Sequence, residues 1–77
     1  MATELIEYIV ENLVEHPESI RMEEIPGNEE IVVELRVADT DVGKIIGKNG
    51  SVARALRTLI MAAGSRQKKN YTLEIID

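Results

Sequence analysis

The stretch of this 77-residue chain best equipped for chemistry is Ile45-Ile46-Gly47-Lys48-Asn49-Gly50. Two glycines bracket a lysine and an asparagine. Three kinds of site use such a pattern. Asn49-Gly50 suits a tight hairpin turn, but only when alternating strands flank it. Here the flanks, Val42, Ile45 and Ile46 on one side and Val52, Leu56 and Leu59 on the other, have helical spacing. A mononucleotide phosphate loop needs four residues between its first glycine and a Gly-Lys pair, then Ser or Thr. From Gly43 to Gly47-Lys48 only three intervene, and Asn49 follows the lysine. The third kind is a backbone clamp between two helices. Glycine permits unusual dihedral angles and close ligand approach. The next helix turns its unpaired N–H groups and positive dipole end into the turn, and Lys48 adds a full charge. That combination suits a phosphodiester.

Other chemistries lack their residues. With no cysteine and one histidine, His16, the chain has no thiolate or His-rich metal set. His16 precedes Pro17 and reads as a helix-end residue. Asp39 and Asp41 read as helix-start residues, and the glutamates are spread along a helix face and strand surfaces. No nucleophile, base and metal converge, so no catalytic residue, metal or cofactor is expected. No apolar run approaches the ~20 residues that span a bilayer, and the glutamate-bearing start is not a signal peptide. A cytoplasmic protein without membrane contact is the expectation.

Elements that would position the hexapeptide follow closely on one another in a single domain, 1–77. Residues 3–15 read as a helix, with Thr3 as N-cap and Leu5, Ile6, Ile9, Val10 and Leu13 on one stripe. Residues 19–25 and 29–37 alternate as strands, joined by turn residues 26–28, so an antiparallel hairpin is expected. Ile31, Val33, Leu35 and Val37 share its apolar face. Residues 39–46 read as a short helix capped by Asp39, Thr40 or Asp41. Residues 51–64 read as a second, with Ser51 as N-cap and Gly64 as its stop. A basic loop and a last strand, 71–76, complete the order.

Charge divides along the chain. Residues 1–34 hold ten acids and one base, whereas residues 35–77 hold eight bases and four acids. One basic face on an acidic body follows, despite a net charge of −5. Lys44, Lys48, Arg54, Arg57, Arg66, Lys68 and Lys69 are candidates for its rim. With two tyrosines as the only aromatic residues, a base-stacking platform is not expected.

Residues 43–59, "GKIIGKNGSVARALRTL", resemble the signature of the KH domain, an RNA-binding fold whose Gly-x-x-Gly loop clamps about four nucleotides of backbone. The resemblance covers nearly the whole chain. A helix and two strands before the loop and one strand after the last helix are similar to the prokaryotic, type II arrangement. It implies an α+β fold: a three-stranded mixed sheet with three helices packed on one face. A lone KH domain of this length further resembles the bacterial KhpA family. That family is associated with RNA chaperone activity, cell elongation and cell shape. It forms homodimers and pairs with a larger KH-containing protein of the KhpB/Jag type.

The resemblance implies that single-stranded RNA meets the backbone N–H groups of Gly47, Lys48, Asn49 and Gly50. Bases would lie in an aliphatic groove for whose floor Val42, Ile45, Ile46 and Val52 are candidates, with Val42 and Val52 read rather as core and one of the two isoleucines as packing inward. Lys44, Ser51 and Arg54 would border it, with Arg36 and Val37 as the opposite wall. On the last helix, Val52, Leu56, Leu59 and Ala63 are expected to be buried. Met61 falls on the other side with Arg54 and Arg57, and Ile60 at the margin. Met61, Ile60 and Arg57 are therefore candidates for a protein contact. The alternative to an RNA clamp is a subunit of KH shape acting chiefly through such contacts.

Overall fold

A computed structural model describes residues 2–76. Helix α1 (Ala2–Glu11) leads through a 3-10 turn at Pro17–Ser19 to the strands β1 (Arg21–Pro26) and β2 (Ile31–Arg36). A 3-10 turn at Asp39–Asp41 opens the five-residue helix α2 (Val42–Ile46). Another, Lys48–Gly50, runs into α3 (Ser51–Arg66), and β3 (Tyr71–Ile75) follows. The sheet order is β1-β2-β3, with β1 antiparallel and β3 parallel to the central β2. This is the α+β type II KH architecture.

Strand alternation decides the packing. Val33 and Leu35 of β2 and Tyr71 and Leu73 of β3 are buried beneath the helices, which contribute Ile6, Val10, Ile45, Leu56 and Ile60 to the same core. Each fully buried Ile or Leu is worth roughly 1.5–3 kcal/mol. The outer face carries Glu34 and Arg36, an ion pair at 3.6 Å. Ile31 and Val37 pack at the core's edge, as their spacing requires.

Element order and strand pairing follow the sequence, but several boundaries shift for physical reasons. Thr3 lies inside α1, not at its cap, and α1 ends at Glu11 instead of residue 15. Beyond it the N–H groups of Glu15 and His16 donate to the carboxylate of Asp41, not to the helix's own carbonyls. Ser51 is the first residue of α3; the cap position belongs to Gly50, in the left-handed region. Gly64 does not stop α3. It is buried within it, where an added Cβ would press on the Tyr71 ring and stand 2.9 Å from the Lys69 carbonyl oxygen. The helix ends two residues later through bonds from Lys68 N to Ser65 O and Lys69 N to Gly64 O, a Schellman closure. Its left-handed residue is Lys68, at φ 60°.

The buried stripe of α3 is also turned from the expected one. Ala53, Leu56, Ile60 and Gly64 face the core, while Leu59 is left 39 % exposed. Small residues at 53 and 64 let the helix approach the sheet along that line. Ile60 is thus a core residue with no exposed surface, which removes it from the candidate protein contact.

Candidate nucleic-acid interface

The Gly47–Gly50 loop adopts a conformation that its residue types make accessible. Gly47 has φ 76° and ψ 174°, a region essentially reserved for glycine. A Cβ there would lie 2.8 Å from the Val52 nitrogen and against the Val52 side chain. Asn49, at φ 56° and ψ 26°, is left-handed, a state asparagine tolerates better than most residues. Gly50 repeats it at φ 76° and ψ 15°. Gly47 N donates to Gly43 O at 2.9 Å and Gly50 N to Gly47 O at 3.1 Å, closing the turn on itself.

Lys48 and Asn49 are exposed at the tip. The 16-residue helix α3 begins immediately behind them, so its positive dipole end backs the loop, while the N–H of Ser51 is already bonded to Lys48 O. Arg54, one turn into α3, donates from Nη1 to the Asn49 carbonyl oxygen at 2.8 Å. It braces the left-handed residue and keeps a guanidinium beside the loop. Ser51 is exposed at the helix start.

The two isoleucines separate cleanly. Ile45 is fully buried in the core, and Ile46 is 36 % exposed beside the loop. Ile45 therefore belongs to the core and is no part of the surface beside the loop. Val42 and Val52 are half-buried, with Val52 packed on the core.

Other candidates are drawn elsewhere. The Lys44 ammonium lies 3.4 Å from Asp41 Oδ1 and 3.7 Å from Glu15 Oε2, so those two carboxylates claim it. Arg36 lies on the outer sheet face with Glu34, on the opposite side from α2 and α3. Val37 packs against the core. Lys68 and Lys69 line a shallow cavity of about 240 Å³ with Asn28, Glu29, Glu30 and Asn70. That cavity is at the far end of α3, about 24 Å from the loop by helical rise. The basic residues thus form a cluster near the loop and a separate one at the opposite end.

Asp41 has a role that residue type alone did not reveal. It occupies the N-cap position of α2 without capping it. Its fully buried carboxylate accepts Glu15 N–H at 3.1 Å and His16 N–H at 3.0 Å. Burial pushes its pKa up, but those two N–H groups and the Lys44 ammonium outweigh burial and hold it below the ordinary aspartate value. The bonds fix the start of α2, and hence the approach to the loop, against the segment that follows α1. Among the described residues, no group of three metal-ligating side chains converges, and no helix is long and apolar enough to cross a membrane.

The sequence matches the family model described as "KhpA/KhpB, KH domain" over residues 3–75. It is 48 % identical over 77 residues to the RNA-binding protein KhpA of Treponema pallidum, covering 100 % of this chain and 96 % of that one. It is 45 % identical over 73 residues to the RNA-binding protein KhpA of Caldanaerobacter subterraneus subsp. tengcongensis, covering 95 % and 97 %. To that of Chlamydia pneumoniae it is 45 % identical over 74 residues, covering 96 % and 95 %.

Proposed function

The chain belongs to the KhpA/KhpB KH-domain family, and from that premise we propose that it binds single-stranded RNA by clamping the backbone at Gly47–Gly50. It is a binding module and not an enzyme. The observation that carries the reading is the loop itself. Gly47 occupies a glycine-only conformation, the exposed Lys48 stands at its tip, and the start of α3 lies behind it. Phosphates approach the loop backbone unobstructed by side chains at Gly47 and Gly50, although the N–H groups of those two close the turn, and the positive end of α3 attracts them; Ile46 offers an adjacent aliphatic surface. Arg54 braces the loop and contributes positive charge; Lys44, held by Asp41 and Glu15, acts mainly on the fold. The cellular role follows the family resemblance: an RNA chaperone or post-transcriptional regulator in the cytoplasm, linked to cell elongation and shape.

The test is RNA binding by wild type and Lys48→Asp/Asn49→Asp at two salt concentrations, with folding checked by circular dichroism. Wild-type affinity falls as salt rises, because phosphate contacts release counterions. The folded double variant should lose at least tenfold, since two new carboxylates oppose the phosphates where a cation stood (about 1.4 kcal/mol per tenfold). Equal binding by both proteins refutes the clamp.

A second reading has its own observation. Met61 is 53 % exposed on α3, next to the exposed Arg57, an apolar surface suited to another KH domain. Self-association, or pairing with a larger KH-containing protein of the KhpB/Jag type, would use this flank of α3. Met61→Asp should then convert a dimer to a monomer in sedimentation equilibrium. An unchanged dimer mass removes Met61 from the interface.

A further inference from the structure

Base selection at this site needs hydrogen-bonding edges, because no aromatic side chain lies in the loop or along α3. The outer edge of β3 supplies one. The sheet ends at β3, and Asn70 O and Ile76 N bond to Ile31 N and Leu35 O of β2. By alternation, the backbone groups of Thr72 and Glu74 also turn toward β2, and those of Tyr71, Leu73 and Ile75 turn away. The Leu73 carbonyl oxygen, on that free edge, accepts Nε–H of Arg57 at 3.3 Å.

The anchor orients the guanidinium. With Nε committed to Leu73, the two Nη groups remain at the far end as a planar fork. Arg57 lies three residues beyond Arg54, about 4.5 Å further along the helix. Arg54 is itself tied to the loop through Asn49 O. Phosphates held at the loop would place their bases within one helical turn of the Arg57 fork.

Two parallel N–H donors match the paired acceptors O6 and N7 of guanine, a pair no other base presents. We propose that Arg57, anchored on the Leu73 carbonyl, is a specificity-determining residue that favours guanine beside the clamped backbone. This rests on the RNA reading of the Gly47–Gly50 loop. The plainer role for Arg57 is to satisfy an edge carbonyl, which would contribute to stability and leave base preference unchanged.

The experiment measures dissociation constants for U-rich octamers carrying G, A, C or U at one central position. Wild type, Arg57→Ala, Arg57→Lys and Lys48→Asp/Asn49→Asp are compared, each checked for folding. Wild type should prefer the G octamer by roughly tenfold, the scale of one bidentate contact. Arg57→Ala should bind all four alike, at the wild-type all-U level. Arg57→Lys should also lose the preference, because an ammonium keeps the charge but not the fork. A preference retained in Arg57→Ala overturns the proposal. So does an equal loss on all four octamers with a smaller salt slope, which marks a phosphate contact. Wild-type binding that depends on Lys48 and Asn49 but ignores the central base leaves the clamp standing and overturns the role of Arg57 alone. Binding equal in wild type and the loop double variant overturns the clamp, and the assignment of Arg57 with it.

Discussion

Gly47→Ala should be the most damaging single-methyl addition in the loop. Two costs combine. The residue sits at φ 76° and ψ 174°, where a side chain costs of order 1–3 kcal/mol. The new Cβ also meets the Val52 nitrogen at 2.8 Å and the Val52 side chain, an overlap that costs about 1–3 kcal/mol where packing must shift. A loss of roughly 2–6 kcal/mol is a large share of the ~4–11 kcal/mol typical for a domain of this length. The melting temperature should fall by about 10 °C or more. Gly43→Ala is the internal control. Gly43 is also in the loop's approach, but it is helical, and an added Cβ meets nothing within 4 Å. It should be neutral or stabilising by about 0.5–1 kcal/mol. Thermal unfolding of the two variants checks the contrast, and equal melting temperatures would refute the geometric account. RNA affinity, measured below both transitions, should fall only for Gly47→Ala.

That contrast also shows what the sequence made legible. Gly47, Asn49 and Gly50 are residue types that tolerate positive φ, and each one adopts it. Helical spacing around them argues against a hairpin. Alternation in residues 31–37 correctly assigned the apolar face of β2. The phase of α3 was harder to read, because burial there goes to small residues. Ala53 and Gly64 are buried because α3 approaches the core closely along their side, and Gly64 in particular makes room for Tyr71. Hydrophobicity alone favours Leu59, which tertiary packing leaves partly exposed. Lys44 and Arg36 were candidates by charge and position. The partners of Lys44, Glu15 and Asp41, depend on how the segment after α1 folds back, whereas Glu34 beside Arg36 follows from the same alternation that places the apolar face. No local pattern encodes the contact between Asp41 and residues 15 and 16, some 25 positions away.

Removing that contact should give the second large effect. Asp41→Ala leaves the N–H groups of Glu15 and His16 buried in part and without their acceptor, and unsatisfied buried donors are costly. Asp41→Asn should fall between alanine and wild type. Its amide oxygen can accept one N–H, but its NH₂ group faces the other donor. Asp39→Ala, at an exposed neighbour in the same turn, should change the melting temperature far less. The pH dependence has a definite sign. The folded pKa of Asp41 lies below the ordinary aspartate value, so the unfolded chain takes up this proton first. The carboxylate's contribution is therefore complete above about pH 4, near the unfolded pKa, and is lost as pH falls through the folded value. Wild type should lose stability below about pH 4, and its advantage over Asp41→Asn should shrink in the same window. Chemical denaturation of both proteins from pH 7 to pH 2.5 measures that difference directly. A gap independent of pH would mean that shape, and not the carboxylate's charge, holds α2 to the segment that follows α1. Because α2 leads directly into Gly47, the loop's amide protons should exchange faster in Asp41→Ala even at temperatures where the rest of the domain is folded.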